Sequence, residues 1–407
     1  MSTRIIVLGI ALALQTAFAL AQDCAKYPFV SCDSNRIITN NSDWSRLKRV
    51  AQSLSQSDST TTKLAVLHIG DSHIQGGWLS EALRQTLQDT YGNGGRGLIA
   101  PLKMAGTNQP ADYTFTTANR AWKTTKLTSN KRREGASLTG ISVAFASSAL
   151  SLSIGVDNAD HSFGSLTLLH APTADNVTAH SPSMSITKTG TNSLPYATTF
   201  AMPSPCRQLT LYNLSGISEL WGVILHNNRS GVVLHSIGNN GACYQHYNQL
   251  DSFASRTTLF APDLIIISLG TNEAFGNCKD MNAIKNEIHR LVSALQESNP
   301  EAAILLTTPM ECDRRQRTRR SRRRRRRTVF ATNTNCLTVR NIIMQYGAEN
   351  NIAVWDLYTV AGGKGSAAKW VANALLAKRD HVHCSTEGYR LQGKLLAEAL
   401  IQSLSEE

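Results

Sequence analysis

The chain has 407 residues, of which 42% are hydrophobic and 17% charged, and its formal net charge is +12. That length and balance suit about two globular domains and exclude a disordered or fibrous chain. Eleven of the positive charges are arginines between positions 314 and 327, so the remainder carries about +1, too little for a broad nucleic-acid-binding surface.

In chain order, residues 1–21 open with Arg4, continue through an apolar run and end in Ala19-Leu20-Ala21. This is the pattern of a cleaved signal peptide, and the run is short of the ~20 apolar residues that span a bilayer. An uncleaved N-terminal anchor is the weaker alternative. The expected mature protein is exported, to the periplasm or beyond the cell, with no stable membrane insertion. Eight cysteines (24, 32, 206, 243, 278, 312, 336 and 384) make disulfides plausible there, Cys24 with Cys32 being the nearest local pair. No CxxC knuckle is present, and no metal or other cofactor is expected.

Residues 64–69 (Leu-Ala-Val-Leu-His-Ile) form an apolar run that stops at Gly70-Asp71-Ser72, which predicts a buried parallel strand ending in a tight turn. Trp78, Leu79, Leu83 and Leu87 then follow helical spacing until a glycine-rich stretch, 92–97. From 105 to 228 the composition turns to Thr, Ser, Asn and Gly with short alternating runs such as 113–116, 150–154 and 208–212. Such runs predict an inserted β-sandwich. Strands then alternate with helices: strand 232–237 before Gly238-Asn239-Asn240-Gly241, strand 264–269 before Gly270-Thr271-Asn272-Glu273, helix 281–297, strand 303–308, helix 339–349, strand 353–356 and helix 386–404. Alternation of this kind means a parallel sheet. The expected organisation is an α/β domain in two parts, 22–104 and 229–407, with a β-rich domain at 105–228 between them. The arginine run 314–327 is predicted to be a disordered loop. A low-complexity expansion is its first reading and contact with a polyanion its second, since no aromatic residues are interleaved to stack bases.

In an open parallel sheet, ligands bind beyond the carboxyl ends of the strands. There the chain places Ser72, the 238–241 turn and Asn272, and a late loop adds Asp380-His381-Val382-His383. Serine, a histidine base and an orienting carboxylate are the parts of a nucleophilic hydrolase. Each residue also has a plainer role. Ser72 could cap the following helix, Asn272 and the glycines could serve turns, and Asp71 reads as a turn residue. His68, His73 and His235 read as structural; Trp78 and Trp122 are core residues or sugar-stacking ones. His381 competes with His383 as the base.

Taken together, these segments resemble the sequence blocks of the SGNH (GDSL-like) hydrolases. The resemblance implies a flavodoxin-like three-layer α/β/α fold. It implies Ser72 as nucleophile, Asp380 and His383 as its partners, and an oxyanion hole from Ser72, Gly241 (Gly238 as fallback) and Asn272. The β insertion between the first two blocks resembles that of bacterial peptidoglycan O-acetylesterases, where it is carbohydrate-binding-module-like. An exported esterase acting on O-acetylated envelope glycan is therefore expected. The alternatives are an O-acetyltransferase, an esterase for another polysaccharide or lipid, or an inactive carbohydrate-binding protein.

Overall fold

A computed structural model describes residues 24–55, 62–118, 121–129, 138–145, 150–181, 186–189, 191–250, 252–277, 281–317 and 328–406. The expected leader, 1–21, and positions 318–327 of the arginine run lie outside the described residues.

The apolar runs form one six-stranded sheet, ordered Ile37–Ile38, Ala353–Trp355, Ala303–Thr307, Leu264–Ser268, Lys63–Gly70 and Gly231–Gly238. The two-residue edge strand is antiparallel to its neighbour and the other five strands are parallel. Numbered along the chain, the five parallel strands lie in the order 2-1-3-4-5, the flavodoxin-like arrangement. Side chains alternate strictly between the two faces. Leu64, Val66, Leu264, Ile266 and Leu305 pack with Leu83 and Leu87 of helix Trp78–Tyr91 and Leu395 and Leu400 of helix Thr386–Ser405. Leu67, Ile69, Ile265, Ile267 and Leu306 pack on the other side with Ile288 and Leu291 of helix Met281–Ser298 and Val339 and Ile343 of helix Asn335–Asn350. Burial on both faces is why these strands read as continuous apolar runs, each fully buried leucine or isoleucine contributing about 1.5–3 kcal/mol.

The β-rich segment forms two antiparallel sheets. One contains Tyr113–Thr116, Leu150–Val156, Gln208–Ser215, Thr178–Ser181 and Ile186–Thr189. The other contains Thr191–Leu194, Ala197–Cys206, Phe163–His170, Glu219–His226, Ile141–Phe145 and Trp122–Lys126. Their facing side chains share a core: Phe115, Leu152, Ile154 and Leu211 from the first sheet meet Leu166, Leu168, Phe200 and Val223 from the second. The second sheet also turns Leu169, Trp221 and Ile224 into the core of the α/β unit, so the two units are packed together. Strand Gly97–Ile99, inside the glycine-rich stretch, pairs with Glu219–His226, so the chain joins this sheet before residue 105.

Two sequence expectations meet the structure here. Cys24 and Cys32 are disulfide-bonded, with Cα atoms 6.2 Å apart. The start of the arginine run departs from a disordered loop, because Asp313–Arg317 pairs as a strand with Thr328–Thr332. The Arg314 guanidinium donates to Asn333 Oδ1 at 2.8 Å and to the Ala274 carbonyl, and lies over the Phe275 ring. Among the described residues no helix is long and apolar enough to cross a membrane.

Candidate active site

The sheet order reverses between Lys63–Gly70 and Leu264–Ser268, and the crevice at their carboxyl ends collects the residues singled out from the sequence. The first strand breaks at Asp71. Its Oδ1 accepts the N–H of His73 at 2.9 Å and so caps the short helix Ser72–Gln75. Capping therefore falls to Asp71, and the Ser72 side chain is left for another partner. Ser72 Oγ lies 3.0 Å from His383 Nε2, and His383 Nδ1 lies 3.1 Å from Asp380 Oδ2. Asp380 Oδ1 is held by the backbone N–H groups of Val382 at 2.9 Å and His383 at 3.0 Å. Burial alone would raise the Asp380 carboxyl. Those two N–H groups and the His383 ring outweigh it and hold the carboxyl below its ordinary value. A carboxylate at Nδ1 keeps the imidazole proton there and leaves Nε2 to accept from the serine hydroxyl.

His381 takes a different course. Its backbone is left-handed, φ +57°, and its Nδ1 pairs with Asp313 Oδ2 at 2.7 Å. Its ring stacks on Phe330 with centroids 3.8 Å apart. Of the two histidines, the geometry brings His383 to Ser72.

Asn272 follows the third parallel strand, and its Nδ2 donates to Asp71 Oδ2 at 3.1 Å and to the Ala242 carbonyl at 3.0 Å. The amide thus bridges the turns after the first and second strands. Asp71 is more than a turn residue: it is fully buried and joins Ser72's helix to Asn272. Burial pushes its carboxyl up to about 7, against the opposing pull of its hydrogen bonds and of His383. Gly241 has φ +77°, a conformation that glycine adopts at no steric cost. Gly238 ends its strand beside Gly70, and a Cβ there would fall 2.2 Å from the Gln75 nitrogen. Close backbone approach accounts for that glycine.

The histidines read as structural are enclosed. His68 lies between Ser268 Oγ at 2.8 Å and Ser80 Oγ at 3.2 Å. His73 Nδ1 meets the Tyr389 hydroxyl at 3.1 Å, and Trp78 stacks on that same tyrosine. Trp122, on the β unit, is 36% exposed. Gln75, buried at the end of the Ser72 helix, gave no sequence signal, because its partners at 107, 108 and 240 are distant along the chain.

Residues 216–391 match the GDSL-like lipase/acylhydrolase family. The match spans Gly241, Asn272, Asp380 and His383 and begins after Ser72. Over that segment the chain is similar to the GDSL-like lipases and acylhydrolases. The chain is accordingly a carboxylic ester hydrolase. A solved structure of a peptidoglycan O-acetylesterase is similar over 90% of this chain and 99% of its own, with a TM-score of 0.73 and 22% identity. At that identity the likeness is one of fold, and its coverage takes in the β unit as well as the GDSL-like sheet. A lipase/acylhydrolase from Enterococcus faecalis (18% identity, 43% of this chain, 78% of its own, TM-score 0.30) overlaps too loosely to argue from. The same holds for an acetyl xylan esterase (16% identity, 43% of this chain, 82% of its own, TM-score 0.31). No curated protein matches the sequence.

Proposed function

We propose that this protein is an exported esterase that removes O-acetyl groups from cell-envelope glycan, with peptidoglycan as its substrate class. The observation carrying the chemistry is the unbroken hydrogen-bonded series Ser72 Oγ, His383 Nε2, His383 Nδ1, Asp380 Oδ2 at the switch point of the sheet. Ser72 Oγ attacks the acetyl carbonyl carbon while His383 Nε2 takes the hydroxyl proton. Negative charge on the carbonyl oxygen is stabilised by the N–H groups of Ser72 and Gly241 and by the Asn272 amide. Both Asn272 N–H groups are engaged in the free site, by Asp71 Oδ2 and the Ala242 carbonyl, so the amide gives up one of these bonds to donate to the oxyanion as charge develops. Collapse expels the sugar oxygen, which His383 protonates. Water, activated by the same imidazole, then frees acetate from Ser72. Asp380 fixes the imidazole and stabilises its cationic form.

The substrate class is supported by the shared fold with a peptidoglycan O-acetylesterase across both units. The N-terminal leader pattern and the bonded Cys24–Cys32 pair support export to the periplasm or cell exterior. The two face-to-face sheets are read as an inserted β-sandwich that holds glycan, and the outward Trp122 suits sugar stacking.

Acetate release should be measured from O-acetylated peptidoglycan and from O-acetylated xylan, with wild type and Ser72→Ala, in the presence and absence of an acceptor glycan. Release from peptidoglycan that disappears in Ser72→Ala supports the reading. Release from xylan alone overturns the substrate, and acetyl transfer that needs the acceptor overturns hydrolysis. A folded wild type inactive on both polymers and on a small acetyl ester overturns the reading altogether.

A further inference from the structure

Gln75 is 3% exposed and every polar atom of its side chain is engaged. Its Oε1 accepts the Asn240 N–H at 2.8 Å. Its Nε2 donates to Asn108 Oδ1 at 2.6 Å, the Asn108 carbonyl at 3.0 Å and Thr107 Oγ1 at 2.8 Å. The Asn240 side chain returns to the same two residues, at 3.0 Å to Thr107 Oγ1 and 2.8 Å to Asn108 Oδ1. The Asn240 carbonyl, in turn, accepts the Thr128 hydroxyl at 3.2 Å. That carbonyl belongs to the planar peptide unit whose other half is the Gly241 N–H. Holding the carbonyl therefore aims the N–H in the opposite direction, and glycine's free φ would otherwise let the unit swing. Asn240 is thus fixed at its amide, its side chain and its carbonyl. Thr107, Asn108 and Thr128, which supply much of that hold, lie outside the parallel sheet, in the stretch that leads into and forms the β unit.

We propose that Gln75, with Asn108 and Thr128, positions the Asn240–Gly241 peptide as an oxyanion donor, so that the inserted segment contributes to the chemical step as well as to glycan binding. The inference rests on Gly241 acting as that donor in the mechanism above. Complete loss of one such donor costs about 10²–10³ in rate, and a donor left free to swing loses part of that.

The test uses a small activated acetyl ester, which does not reach across to the β unit, alongside O-acetylated peptidoglycan. Gln75→Ala and Asn108→Ala are each expected to lower kcat on the small ester by about ten-fold or more. KM should stay within about two-fold, and the pH profile of kcat/KM should not change, because His383 and Asp380 are untouched. Asn108 is exposed, so its variant carries the test even where Gln75→Ala fails to fold. Unchanged kcat on the small ester in a folded Asn108→Ala overturns the proposal. So does a rise in KM confined to the polymer, which makes Asn108 a glycan contact instead. Ser72→Ala is run in parallel: full activity in that variant overturns the underlying mechanism, and the positioning role falls with it.

Discussion

A buried charge cluster contributes to the junction between the two units, and removing its centre should cost the fold heavily. Asp112 lies just before strand Tyr113–Thr116 and accepts from Arg96 Nε at 2.6 Å, Arg96 Nη2 at 3.1 Å and Arg84 Nη2 at 2.9 Å. The two arginine side chains are each 3% exposed and the Asp112 side chain 13%. Arg84 belongs to helix Trp78–Tyr91, so the cluster ties that helix, the glycine-rich loop and the first strand of the β unit to one carboxylate. Burial alone would raise the Asp112 carboxyl. Arg96 and Arg84 reverse that and hold it well below the usual carboxylate range. Replacing Asp112 by alanine leaves two guanidiniums buried, mutually repelling and without their acceptor. Breaking one buried pair typically costs about 3–5 kcal/mol, so Asp112→Ala should lose at least the lower end of that range. Urea unfolding at pH 7, followed by far-UV circular dichroism, measures it. Because the folded carboxyl is depressed, its contribution is present above the ordinary value of 3.8 and is lost as pH falls through the folded value. The gap between wild type and variant should therefore narrow in acid. A loss below about 1 kcal/mol at pH 7, or a gap that widens in acid, refutes the reasoning.

Two further outcomes follow from the site. Asp380→Asn keeps the shape of the loop but withdraws the charge that fixes the His383 tautomer, so kcat on the small ester should fall by about 10³–10⁴ with KM little changed. Steady-state kinetics checks this, and a fall of less than ten-fold would assign the orienting role elsewhere. Asp71 behaves oppositely to Asp112. Its folded carboxyl is pushed up from 3.8 to about 7, so the folded state holds a proton that the unfolded state has released, and stability falls as pH rises across that window. The decline is at most about 4 kcal/mol. Denaturation curves at pH 4, 5.5 and 7 should show that component in wild type and lack it in Asp71→Asn.

What was legible in the sequence followed from burial and from local spacing. The five parallel strands read as apolar runs because both faces of each are covered. Their carboxyl ends pointed to Ser72 and Asn272 because the switch point fixes where ligands bind. The β strands picked out from the sequence at 113–116, 150–154 and 208–212 are ones whose residues alternate between the buried face and the wetter one. Ile37–Ile38 is too short to carry a pattern, and Gly97–Ile99 lies hidden among glycines that read as a helix stop. Arg314 looked like part of a self-repelling run, yet it is ordered by partners at Ala274, Phe275 and Asn333 that are far away or carry no opposite charge. Composition registers charge and misses acceptors of this kind.

The two histidines of the 380–383 loop show where local reading ends. Asp-x-x-His spacing favours His383, and the structure supplies the reason in the backbone. The left-handed turn at His381 sends its ring to Asp313 and Phe330, while Asp380 accepts the amides of Val382 and His383 and presents His383 to Ser72. Both histidines thereby gain a carboxylate partner, but only one partner lies within the loop. Asp313 comes from the strand that begins the arginine run, so the segment that looked least structured braces the residue next to the candidate catalytic pair. Asp71, Gln75 and Asp112 follow the same rule. Each looks like an ordinary polar residue in its own neighbourhood, and each draws its importance from partners tens to hundreds of positions away. Polar groups that are costly to bury alone must find such partners, and where they find them decides which turns stay rigid enough for catalysis.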